Sequence, residues 1–100
     1  MNGFSLTTPE QVRQSLATRA KALRLAKGWK RTTLAERSGV SLASLRRFEE
    51  SGRISLASLL DLAFALNRLD EFDLLLNPPR ASIAELEAAE TRPVRKRGRT

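Results

Sequence analysis

Residues 31–53, RTTLAERSGVSLASLRRFEESGR, decide the fold. The first eight read as a short helix, with Leu34 apolar and Ala35 small enough for a second helix to approach closely. Gly39 ends it with a residue that takes a left-handed turn conformation at no steric cost. Val40 then fills the angle of the turn, and Ser41 offers a side-chain oxygen to cap the next helix. That helix runs to about Ser51 and Gly52. Two short helices joined by a three-to-four-residue turn containing glycine make a helix-turn-helix. Leu34, Leu45 and Phe48 are its expected small core.

The second of these helices carries two surfaces. Each helical position advances about 100° around the axis. With Leu42 at zero, Arg46 falls near about 40°, Ala43 near about 100° and Arg47 near about 140°, whereas Leu45 and Phe48 fall near about 300° and about 240°. Both arginines therefore face away from the core side. An arginine in a major groove can hold guanine O6 and N7 together, and Leu42 and Ala43, at the end that enters deepest, can meet thymine methyls. Leu42, Ala43, Arg46 and Arg47 are the candidate base readers. Lys30, Arg31, Ser41, Ser44 and Arg53 flank them and are the candidate phosphate contacts. Glu50 points to solvent or accepts from cytosine N4. Two adjacent arginines are by themselves more often a solvated face; the capped, glycine-turned frame around them makes them candidates for recognition.

Outward from this motif, Thr8-Pro9-Glu10-Gln11 reads as a helix start. Thr8 is the cap, Pro9 takes the first helical position, and Gln11 completes a capping box. The helix continues to about Lys27, with Val12, Leu16, Ala20 and Leu23 at helical spacing, and Gly28 stops it. Ser55 caps a further helix over 56–66, apolar on most sides and hence expected to be largely buried. Asp70 to Leu76 predicts a short fifth helix, which Asn77-Pro78-Pro79 ends. A weak helix over 82–90 and a basic tail, RPVRKRGRT, follow; the tail holds too few apolar residues to order itself. The expected organisation is a lead-in over 1–7, a DNA-binding domain over 8–77 and an extension over 78–100. Phe72, Leu75 and Leu76 either form a dimer surface or cap the monomer core.

TTLAERSGVSLASLRRFEESG, followed by SLASLLDLAFAL, resembles the Cro/C1-type helix-turn-helix of bacterial and phage repressors, the XRE family. The resemblance covers about residues 10–66. It implies an all-α, compact five-helix lambda-repressor-like domain that binds double-stranded DNA. It also implies an ion pair between Arg24, late in the first helix, and Glu49, at the end of the reading helix. One departure concerns the start of the second helix, where the family carries a Thr or Ser cap and then a Gln that touches the DNA backbone. Lys30 and Arg31 stand there instead, so the location carries over and the amide contact does not. A single domain of this kind makes few base contacts, which implies a homodimer on a palindromic operator with half-sites about one helical turn apart. The C-terminal extension gives the chain the layout of HipB-type antitoxins. Those repress their own operon and bind a HipA-like serine/threonine kinase toxin. The alternative is a stand-alone Cro/C1-type repressor without a toxin partner.

Composition agrees with a polyanionic partner. The 100 residues carry a formal charge of +7, distributed as +6 over 1–31, +1 over 32–60, −3 over 61–79 and +3 over 80–100. Attraction to a polyanion is thus directional. The chain has no Cys and no His, which removes thiolate chemistry and the commonest general base and metal ligand. No carboxylate cluster has metal-ligand spacing, and no glycine-rich phosphate loop occurs. The expectation is a cytoplasmic, non-enzymatic protein with no cofactor, no metal and no membrane span. RNA recognition is disfavoured by the shortage of stacking aromatics, one Trp and four Phe.

Overall fold

The computed structural model describes residues 7–79 and 86–88. The described residues form helices and turns with no strand. The helices are α1 (Pro9–Ala26), α2 (Arg31–Ser38), α3 (Leu42–Ser51), α4 (Leu56–Ala65) and α5 (Leu69–Asp73). Of the helix expected over 82–90, residues 86–88 are helical and exposed. Residues 1–6 of the expected lead-in, and the whole basic tail, lie outside the described residues.

Local chemistry starts and stops each helix. The Thr8 hydroxyl accepts from the Gln11 N–H at 3.1 Å while the Gln11 side chain accepts from the Thr8 N–H at 3.0 Å, a reciprocal capping box. Ser41 and Ser55 cap α3 and α4 by accepting from the N–H groups of Ser44 and Ser58. At the end of α1, the Trp29 N–H reaches back to the Arg24 carbonyl and the Gly28 N–H to that of Leu25, the pairing of a Schellman motif. The same motif ends α4, with Asn67 in the left-handed position at φ 66°.

The core gathers Ala17, Leu34, Val40, Leu45, Phe48, Leu62 and Leu66, with Trp29, Ala35, Ile54 and Leu59 packed around it. α1 packs on α3, α2 packs on α3 and α4, and α5 packs on α4. Two expectations need correction. α4 is not largely buried: Leu56 is 68% and Phe64 71% exposed. Leu62 and Ala63 take the covered side, and the packing of α2 and α5 leaves a stripe along one side of the helix uncovered. α5 begins at Leu69 and stops at Asp73, and Leu74, Leu75 and Leu76 form a turn. In α1, the small Ala17 is the buried apolar residue, whereas Val12 is exposed.

Among the described glycines the tightest approach is at Gly52, the left-handed residue after α3 at φ 78°. A Cβ there would lie 2.9 Å from the carbonyl carbon and oxygen of Arg13 in α1. Gly39 has the same conformation, φ 80°, with open space around it. Gly39→Ala is therefore expected to cost about 1 kcal/mol, the left-handed penalty alone. Gly52→Ala adds the clash and is expected to cost about 2–4 kcal/mol. Urea denaturation of both variants measures the difference; equal losses would contradict the close approach.

Candidate nucleic-acid interface

The orientation of α3 is set from its buried side. The Glu49 side chain is 1% exposed and takes two guanidinium groups. Arg24 of α1 places Nε at 2.8 Å from Oε2 and Nη2 at 3.0 Å from Oε1, a two-pronged pair. Arg31, the first residue of α2, donates to Oε1 at 2.9 Å. The remaining Arg24 donor, Nη1, reaches the Trp29 carbonyl at 2.9 Å. One carboxylate thereby joins α1, α2, α3 and the turn after α1. Burial pushes the Glu49 carboxyl up, but the hydrogen bonds and charges of Arg24 and Arg31 outweigh it and hold it below its ordinary range.

The opposite side of α3 is open. Ala43, Arg46 and Arg47 are exposed and Leu42 is half-buried, so the four candidate base readers share one side of the helix as its rotation requires. The flanking candidates divide by how committed they are. Lys30 and Arg53 are exposed. Lys30 occupies the cap position of α2 without any side-chain cap bond, since an ammonium has no acceptor. The first turn of α2 therefore has no side-chain acceptor from its cap residue and carries a cation beside it, a combination that suits a phosphate. Arg31 differs, because its guanidinium is tied to Glu49 and its side chain is only 31% exposed. Ser41 is occupied as a cap and donates to the Ser44 hydroxyl at 2.9 Å, leaving the Ser44 proton available for another acceptor.

Three supports of this surface were not read from the sequence. Ser51 bonds its hydroxyl back to the Arg47 carbonyl at 2.7 Å and accepts from the Arg53 N–H at 3.2 Å, setting the path of the chain out of α3. Gln14 of α1 donates to the Ser51 carbonyl at 3.1 Å. The Trp29 ring lies under two cations, Lys27 at 5.2 Å and Arg37 at 4.6 Å from its centroid. Of the two cations over Trp29, Lys27 lies only two residues away in sequence, a signal that could have found it. The Ser51 bonds span two to four residues, whereas the Gln14–Ser51 and Arg37–Trp29 contacts join positions brought together only by helix packing.

An all-helical domain with a glycine-turned pair of helices, the second presenting an outward arginine pair, has the build of a DNA-binding regulator. A helix-turn-helix family model matches residues 21–74, more than half of the chain. The chain belongs to this helix-turn-helix family, of the Cro/C1 (XRE) type, and its function is DNA-binding transcription regulation. Comparison with curated proteins gives no match. No helix among the described residues is long and apolar enough to cross a membrane.

Removing Glu49 or Arg24 leaves the partner charge buried and is expected to cost about 3–5 kcal/mol. Losing Arg31, the more exposed partner, should cost about 1 kcal/mol. Because the folded Glu49 pKa is lowered, its stabilisation is fully present above the ordinary value of 4.5. It is lost as pH falls through the folded value. Urea midpoints measured from neutral to acid pH should show the gap between wild type and Glu49→Gln closing only below pH 4.5. A gap independent of pH would contradict the role of this carboxylate.

Proposed function

We propose that the chain is a sequence-specific transcriptional repressor that binds a palindromic operator as a homodimer. The observation that carries this reading is the two-sided build of α3, with Glu49 held by Arg24 and Arg31 on one side and Arg46 and Arg47 exposed on the other. Leu42, Ala43, Arg46 and Arg47 read bases. Lys30, Ser44 and Arg53 bind phosphate, along with Ser41 at the start of α3. Arg31 contributes first by positioning α3 and adds charge to the phosphate-binding edge. The dimer surface is the apolar turn after α5, where Leu75 is 61% and Leu76 98% exposed. Phe72 is half-buried against the cavity between α1 and α4, so it supports this turn from within.

The finer reading is an autoregulatory antitoxin that also binds a HipA-like kinase toxin. Its support is the layout, a helix-turn-helix unit followed by Pro78-Pro79 and a 21-residue extension ending in a basic run. A kinase-like gene beside this one, with a product that the full chain retains in a pull-down, separates this reading from a stand-alone repressor.

Binding of the full chain to its own promoter and to random DNA, at near-physiological salt, tests the repressor reading. Wild type should prefer the promoter, with two chains per site. Arg46→Ala or Arg47→Ala should lose about 1–3 kcal/mol of that preference. Lys30→Ala should weaken binding to both DNAs alike and lower the salt dependence. Equal affinity of wild type for the two DNAs would overturn the reading.

A further inference from the structure

A cavity of about 310 Å³ opens on the side of the core where α1, α4 and α5 meet. Leu16, Leu23, Leu59, Leu66 and Phe72 form its apolar wall, and Leu16, Leu23 and Leu59 are only partly buried against the core, so their remaining surface faces this space. Its volume is at the small end of the roughly 300–1,000 Å³ typical of sites for small organic molecules. It is too small for a folded partner to enter.

Three charged side chains stand in the lining. Arg68 and Glu71 neutralise one another at 2.6 Å. The Arg19 Nε donates to the Ser15 carbonyl of its own helix at 3.3 Å, and Arg19 forms no ion pair with an acid among the described residues. An open, mainly apolar groove with one guanidinium that has no acidic partner among the described residues matches a molecule with an apolar body and one carboxylate. A guanidinium recognises a carboxylate through paired N–H donors. An amine finds no free acid there, because Glu71 is already paired.

We propose that this cavity binds a small carboxylate with an apolar chain, the chain lying among the leucines and the carboxylate on Arg19. The site is separate from the outward side of α3, so the inference does not rest on how DNA is read.

Octanoate, octan-1-ol and octylamine, added to the full chain at low-millimolar concentration, serve as probes. Thermal shift and calorimetric titration give affinity, and the methyl resonances of Leu16, Leu23 and Leu66 locate the bound molecule. Octanoate should bind about fivefold more tightly than octanol and shift those methyls, and octylamine should bind most weakly. Arg19→Gln, a change at an exposed side chain, should bring octanoate to the affinity of octanol. Ala20→Phe, which fills the cavity from α1, should abolish binding of both while the far-ultraviolet spectrum stays helical. Equal binding of octanoate and octanol to wild type overturns the proposal. So does an octanoate preference that survives Arg19→Gln, or methyl shifts confined to Leu74, Leu75 and Leu76.

Discussion

The orientation of α3 depends on the Glu49 carboxylate. A buried carboxylate without partners would be strongly unfavourable and would protonate instead. Here it meets two guanidinium groups, and the attraction prevails over the burial penalty. The geometry matters more than the count of charges. Arg24 approaches with two prongs and uses its third donor on the Trp29 carbonyl. Helix α3 is therefore fixed about its own axis as well as in position. Rotation by one residue would move Glu49 from its partners and turn Arg46 and Arg47 away from the open side.

Arg31 shows how one residue can belong to both parts of such a site. At the start of α2 this chain has a cation whose charge is directed at Glu49. Lys30, one residue earlier, carries the free charge at the start of α2. The overall charge follows the same division. The basic residues 1–31 include both residues at the start of α2, while the acidic residues 61–79 lie on α4, α5 and the turn beyond. A polyanion is attracted to the first and repelled by the second, which orients the domain toward it.

The elements bounded by local chemistry were legible in advance. Thr8, Ser41 and Ser55 are short polar residues that bond N–H groups three positions ahead, and Gly39 and Gly52 sit where a left-handed turn must close a helix. Such interactions span three to five residues and leave their mark in the order of the sequence. The side of α4 that would be covered was not legible, because LASLLDLAFAL is apolar nearly all round and only its neighbours decide which face they meet. The end of the fifth helix was not legible for a similar reason. Three consecutive leucines suit a helix, but the chain turns there, with Leu76 at φ 63°.

The sequence by itself determined helices α1 to α4, the side-chain caps of α1, α3 and α4, the glycine turn and the placement of Arg46 and Arg47 on the outer side of α3, since helical rotation fixes which residues share a face. The tertiary structure alone decided that Arg31 is bound to Glu49, that Gly52 lies against Arg13, and that Phe72 is half-buried beside the groove while Leu56 and Phe64 stay exposed. Each of those outcomes joins or leaves apart residues far separated in the chain. Their distances follow from how five helices pack, and no local pattern encodes that.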